Sequence, residues 1–298
     1  MHYVDKVVYT FSADNAPLIS VKSGDLVTFR TQDCFSNQMH SESQLVTTCD
    51  YSKMNPATGP VFVEGAKPGD VIKVELLDIQ CDSIGTTTTL PAIGPLHDRC
   101  ETRTKRIPVE GGKARFNDIE FPINTMIGVI GCAPEAGKSV PCGFPGSHGG
   151  NLDCKLMVKG NTAYFPVRVE GGLVQMGDLH AVMGDSELCG TGLEINGTVL
   201  TRLTLIKNCP IEWPVLETSD MWYTLASAAE FPDALRHVSV QMQELVAKAT
   251  GWDRTDAYLY MSLRGDVETC QACKPCEVDL ILRLGVPKAD MKKPLIEG

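Results

Sequence analysis

The chain has 298 residues, a formal net charge of −10, 43% hydrophobic residues and 21% charged residues. The acidic balance argues against a nucleic-acid surface, which needs basic side chains to meet phosphates, and the length is enough to bury a core without disulfide staples. The start, MHYVDKVVYTFS, lacks the apolar run of a signal peptide, and no stretch approaches the roughly 18 apolar residues of a spanning helix, so a cytoplasmic protein without membrane contact is expected.

The first 207 residues predict mostly strands. Gly and Pro number 27 and 18, slightly above average, which points to many turns and short strands. APLISVKSGDLVTFRTQD alternates apolar and polar residues on both sides of Ser23-Gly24-Asp25, and GAKPGDVIKVELLDI repeats the figure at Pro68-Gly69-Asp70. The two resemble a weak internal duplication of a β unit. Further strands are expected at 105–109, 113–116, 127–130, 156–158, 162–169 and 198–206, with turn residues between them at the spacing of sandwiches and barrels. Residues 131–153, GCAPEAGKSVPCGFPGSHGGNLD, break this rhythm and predict a long loop of the functional kind.

After residue 207 the pattern changes. SDMWYTLASAAE is a helix candidate. FPDALRHVSVQMQELVAKATGW carries Leu235, Val238, Met242, Leu245, Val246 and Ala249 at helical spacing, with Asp233 as cap and Gly251 as stop. RTDAYLYMSLRG predicts another helix capped at Thr255, and CEVDLILRLGV a closing strand. The expected fold class is mainly β, a sandwich- or barrel-like core over 1–207, with an α+β subdomain over 208–298 packed on it.

Four stretches could carry chemistry. In GDLHAVMGDSELCGTGLE, Asp178 and His180 stand two apart, which on a strand aims both at one face. A carboxylate beside an imidazole suits a divalent metal, or an oriented histidine base. Asp185 and Glu187 follow, among glycines that permit close backbone approach. The bland reading is a turn-capping Asp and a core His. In PGSHGGNLD, His148, Asn151 and Asp153 offer oxygen and nitrogen donors, against an Asx-rich turn. In NPATGPVFVEGAKPGD, Glu64 is either a buried general base or a surface residue. CQACKPC brings Cys270, Cys273 and Cys276 into two overlapping C-x-x-C units, but no fourth ligand lies near and no second pair stands at finger spacing, which favours free thiols over a zinc or iron–sulfur cluster. The twelve cysteines as a whole are expected to be reduced. A cysteine nucleophile at Cys132 or Cys189 lacks a supporting histidine arrangement, and no P-loop, G-x-G-x-x-G after a strand or G-x-S-x-G elbow is present.

NPATGPVFVEGAKPGDVIKVELLDI, MIGVIGCAPEAGK, PGSHGGNLD, GDLHAVMGDSELCGTGLE and DAYLYMSLRGD, in that order from about Asn55 to Asp266, resemble the acetamidase/formamidase family. The resemblance implies hydrolysis of short amides such as formamide and acetamide to a carboxylate and ammonia, a β-rich fold, a homo-oligomer (a dimer or higher), and a divalent metal ion, zinc, with calcium as the alternative. It implies Asp153, Asp178 and His180 as metal ligands. His148 would bind or protonate the substrate, and Glu64 and Glu187 are further candidates for the proton shuttle. CQACKPC departs from the family's pattern, which sets its cysteines apart from the shared chemistry and leaves open a metal or redox role of their own. The competing expectation is a non-catalytic, metal-stabilised protein that captures a small molecule.

Overall fold

The computed structural model describes residues 1–297. Two large sheets pack face to face. The nine-stranded sheet runs in the order His2–Val4, Asp25–Thr31, Gly197–Ile206, Val71–Cys81, Thr162–Pro166, Val215–Glu217, Met221–Ala228, Leu280–Pro287 and Asp266–Thr269. The twelve-stranded sheet has Val174–His180 at its centre, between Met126–Gly131 on one side and both Glu194–Ile195 and Ala57–Val63 on the other. Val27, Phe29, Val74, Leu76, Val199 and Leu203 from the first sheet share one buried core with Val61, Val63, Ile127, Ile130 and Leu179 from the second. This is the arrangement of a sandwich, and the β-rich expectation is met.

The alternating strands follow from their sequence. In Asp25–Thr31 every second side chain, Val27, Phe29 and Thr31, is buried, as a pleated strand with one covered face requires. The two Gly-Asp turns prove to be copies in detail. Gly24 and Gly69 both sit at φ 92°. The Lys22 and Lys67 amides donate to Asp25 Oδ2 and Asp70 Oδ2, each at 2.8 Å. The strands that follow these turns flank the same partner, Gly197–Ile206.

Three expectations are corrected. SDMWYTLASAAE is not a helix: Met221–Ala228 is a strand, paired over its whole length with Leu280–Pro287 and on its other side with Val215–Glu217. Helix propensity is a weak prior, and partners on both edges override it here. Residues 156–158 form a turn, with only an isolated bridge from Val158 to Met126. The glycine-rich stretch 131–153 is not a free loop. It contains the short strands Ser139–Pro141, Pro145–Gly146 and Gly149–Asn151, the last paired with Met126–Gly131.

Two helices are present as expected. Helix α1, Phe231–Thr250, buries Ala234, Val238, Met242, Leu245 and Val246 against strands Met221–Ala228 and Leu280–Pro287. Its stop is Gly251, at φ 77°, whose amide donates to the Ala247 carbonyl. Asp233 lies inside the first turn rather than at the cap, where its charge still suits the positive end of the helix. Helix α2, Arg254–Arg264, is capped by Asp253, which accepts from the amides of Thr255 and Asp256, so the cap lies two residues before the expected Thr255. The nine-stranded sheet crosses position 207 without interruption, while α1, α2 and the strands beneath them gather a second core. Among the described residues no helix is long and apolar enough to cross a membrane.

Candidate active site

Strand Val174–His180 is buried at every residue and ends at the sandwich interior. Asp178 and His180 meet there, His180 Nε2 lying 3.5 Å from Asp178 Oδ1. The route to that meeting differs from simple strand alternation, because Asp178 has φ 55°. Asp153 at φ 38°, Glu187 at φ 45° and Asn55 at φ 49° share this left-handed backbone. Each such non-glycine residue costs about 1–2 kcal/mol. Strain of this kind, concentrated on four residues around one point, is the mark of a functional site.

Three further carboxylates complete the ring. His180 Nε2 lies 3.1 Å from Glu194 Oε2, 3.8 Å from Asp153 Oδ1 and 3.9 Å from Glu187 Oε1. None of the five side chains is more than 4% exposed. Gln271 bridges two of the acids, donating from Nε2 to Asp153 Oδ2 at 2.6 Å and to Glu187 Oε2 at 2.7 Å. Asn55 Nδ2 donates to Asp178 Oδ2 at 3.0 Å, and the Gly192 amide to Glu194 Oε1 at 2.8 Å. Gly128, on the neighbouring strand, leaves room for both aspartates. A Cβ there would stand 2.7 Å from Asp153 Oδ1 and 2.8 Å from Asp178 Oδ2.

Four buried acids around one imidazole need positive charge, since an isolated buried carboxylate is too costly to keep ionised. Burial pushes Glu194 up to about 8. Burial, then the neighbouring acids, lifts Asp153 well above the usual carboxylate range, and burial raises Glu187 as well. Burial opposes the His180 imidazolium, but Glu194 and Asp178 outweigh it and hold its pKa well above 6.5. Burial also opposes the Asp178 carboxylate, but His180 and the hydrogen bonds of its neighbours keep its pKa below the ordinary value.

A metal ion fits this place. Asp153 Oδ1, Asp178 Oδ1 and Glu194 Oε2 are buried without a hydrogen-bond partner, and all three face His180 Nε2. Asp153, His180 and Glu187 can each offer a ligand atom within 4.8 Å of the others, and so can Cys34, Asp178 and Glu194. Mixed carboxylate and imidazole donors suit zinc and its neighbours.

The acids open onto a cavity of about 120 Å³, lined on its apolar side by Phe35, Met54, Leu90, Ile93 and Val278. That is far below the roughly 300–1,000 Å³ of drug-sized ligand sites and suits a substrate of a few heavy atoms. A larger hollow of about 330 Å³ shares Leu90 and Ile93 with it but contains none of the buried acids.

The structure brings Asp153, Asp178, His180 and Glu187 together. It places Glu64 elsewhere: that side chain is exposed at the end of a strand, accepting from Ser20 Oγ at 3.3 Å. His148 does not line the cavity. It packs edge-on against Phe11 with ring centroids 4.9 Å apart, and burial lowers it to about 4, so it is neutral near pH 7. Asp185 belongs to another network, a two-pronged ion pair with the buried Arg283 at 2.8 and 2.9 Å and a contact with Lys155. Cys132 is fully buried with its thiol pushed up to about 12 by desolvation, which removes it as a nucleophile. Cys189 lines the larger hollow rather than the acid cavity. Gln271, Asn55, Cys34 and Gly128 carry no motif of their own. Asn55 opens the family-like block NPATGP, Gly128 lies in MIGVIGCAPEAGK and Gln271 in the conspicuous CQACKPC, but no residue type there singles them out.

Two expected outcomes follow. Gln271→Leu removes the amide that aligns Asp153 and Glu187, and is expected to lower kcat/KM about 10- to 100-fold, the usual cost of losing a partner that orients ligands. An unchanged kcat/KM contradicts that role. The second concerns pH. Between about 4.5 and 8 the folded chain keeps a proton on Glu194 that the unfolded chain has released, so stability falls as pH rises through that window. His148 acts in the opposite sense only between about 4 and 6.5, because above 6.5 it is unprotonated in both states. In chelator, Tm is therefore expected to fall from pH 6.5 to 8, and added divalent cation is expected to abolish the fall. A flat Tm in chelator over that range counts against the account.

Comparison with known proteins supplies independent information. A model of the acetamidase/formamidase family matches residues 6–141 and 135–244. A formamidase of Methylophilus methylotrophus is 28% identical over 64% of this chain and 62% of its own length, so the chain spans less than two thirds of that relative. The crystal structure of an acetamidase from Bacillus halodurans matches with a TM-score of 0.92 and 36% identity, over 97% of this chain and 98% of that one. A recombinant predicted acetamidase/formamidase from Thermoanaerobacter tengcongensis matches with a TM-score of 0.93 and 39% identity, over 97% and 96%.

Proposed function

Because this chain belongs to the acetamidase/formamidase family, we propose that its buried acid-and-histidine cavity hydrolyses short linear amides to a carboxylate and ammonia with a divalent cation, zinc in the first place. The observation that carries this reading is the convergence of four buried carboxylates on His180 Nε2, three of them presenting oxygens without partners. Asp153, His180 and Glu187 would hold the cation. Bound there, it would supply an acidified water and an electrophile for the substrate carbonyl.

The chain's own residues supply the rest. Amide hydrolysis must take a proton from the attacking water as the C–O bond forms and give one to nitrogen as the C–N bond breaks. Asp178, kept ionised and pinned by Asn55, is placed to accept the first. Glu194, raised to about 8 and pinned by the Gly192 amide, carries a proton near neutral pH and is placed to donate the second. Two acids with pKa values pushed apart by their surroundings make an acid–base pair. Phe35, Leu90, Ile93 and Val278 exclude water and leave room for only a short acyl group. The twelve cysteines are all free, which fits a reducing compartment such as the cytoplasm.

Ammonia release from formamide, acetamide and longer amides, measured on metal-loaded protein, tests the reading. Turnover is expected to be highest for the one- and two-carbon amides and to fall as the acyl chain outgrows the cavity. Saturable binding of these amides with no ammonia released would favour a non-catalytic binding protein instead.

A further inference from the structure

Cys270, Cys273 and Cys276 take separate places despite their overlapping spacing. Cys270 is wholly buried, with Arg283 Nη1 3.7 Å from its sulfur. Cys273 and Cys276 turn instead into the wall of the acid cavity, beside Gln271 and Val278. Their sulfurs stand 3.7 Å apart, Cys273 buried and Cys276 partly exposed. Among the described residues neither belongs to a group of three metal-ligating side chains. Two sulfurs alone make a poor metal site but a sufficient redox pair.

We propose that Cys273 and Cys276 are a reversible disulfide-forming pair in the cavity wall, closed by a low-molecular-weight disulfide. The partly exposed Cys276 thiolate attacks the disulfide RSSR, forming a mixed disulfide and releasing one thiolate. Cys273 then attacks the Cys276 sulfur, forming the internal S–S bond and releasing the second. Two protein thiols are oxidised, one small disulfide is reduced to two thiols, and the two protons pass to the leaving thiolates. Only a short approach is needed, from 3.7 Å to a bond of about 2.05 Å.

The location gives the bond a consequence. The carbonyls of Cys273 and Pro275 both accept from the Gly94 amide, at 2.8 and 3.4 Å, so the pair is tied to the loop that places Leu90 and Ile93 in the cavity. Two residues earlier, Gln271 holds Asp153 and Glu187. Drawing the sulfurs together pulls on both anchors.

The test is a thiol map of the folded, metal-loaded protein incubated with glutathione disulfide, then denatured, alkylated and digested. The fragment 265–283 contains all three cysteines. It is expected to carry one alkyl group instead of three and to lack two further hydrogens, with Cys270 the alkylated thiol and the link located between Cys273 and Cys276. A dithiol reductant is expected to restore both thiols. C276S is expected to lose the modification, and C273S to stop at a mixed disulfide on Cys276. The map of the unsubstituted protein decides the matter even if a variant fails to fold. Full alkylation of Cys273 and Cys276 while Cys100 or Cys189 takes up the oxidant overturns the proposal, and so does a mixed disulfide on Cys276 that never resolves. The map reads the sulfurs directly, so it stands or falls independently of amide hydrolysis.

Discussion

Asp178→Asn is expected to lower kcat/KM for short amides by about 10³-fold, at the upper end of what removing a general base or an electrostatic stabiliser costs. The substitution keeps shape and volume, so the fold has no steric reason to change. It removes the acid that His180 and its hydrogen-bond partners keep ionised against burial, whose Oδ1 lies 3.5 Å from His180 Nε2. It also removes a charge that the fold stabilises, since the Asp178 pKa lies below its ordinary value. In chelator at pH 8 the variant is therefore expected to melt somewhat lower than the parent protein, with a native circular dichroism spectrum. Lost activity in a folded variant places Asp178 in the chemistry. An inactive variant that fails to fold would mean that Asp178 serves the fold instead.

Gly128→Ala carries the second large effect. Strand Met126–Gly131 runs beside Val174–His180, and its middle glycine lies under both aspartates. The added methyl would meet Asp153 Oδ1 at 2.7 Å, Asp178 Oδ2 at 2.8 Å and the Asp178 carbonyl at 2.9 Å. The backbone contact at that distance cannot yield cheaply, and the two carboxylates are buried and hydrogen-bonded in place. The extra methyl is expected to cost about 1–3 kcal/mol of stability as overpacking. Moving catalytic groups by about 1 Å is expected to cost some 10²-fold in kcat/KM. Circular dichroism and Tm would show a folded, moderately destabilised protein. A variant with unchanged kcat/KM would separate the two aspartates from the chemistry.

The glycine-rich blocks around Asp153 and His180 could be read because unusual composition and functional strain coincide there. Asp153, Asp178 and Glu187 occupy left-handed backbone next to glycines, and that density of turn-formers is visible in the chain. Gly128 could not be read. Its importance lies in what is missing from its side, which only the register of two strands reveals. Gln271 was hidden by its neighbours, since three cysteines in seven residues draw the eye to sulfur. Glu64 misled for the converse reason: it stands in a family-like block, yet strand geometry turns it to solvent. His148 is buried close by but outside the cavity. Asn151, three residues on, lines the cavity, and spacing alone could not distinguish them.

At the level of fold, strands with one covered face were legible because period-two burial writes itself into the sequence, as in Asp25–Thr31. Met221–Ala228 was not. Its last five residues are all buried, so alternation is lost, and its alanines resemble a helix. The two Gly-Asp turns were readable as a pair, and the structure shows the same φ and the same hydrogen bond in both.

A cation held among Asp153, His180 and Glu187 is required for amide hydrolysis in this reading. The direct measurement is to strip the protein with chelator, titrate zinc back, and follow bound metal and ammonia release from formamide on the same samples. No turnover is expected in the stripped protein and recovery in proportion to tightly bound metal, with neither binding nor recovery in His180→Ala. Full-rate ammonia release from metal-free, folded protein would contradict it.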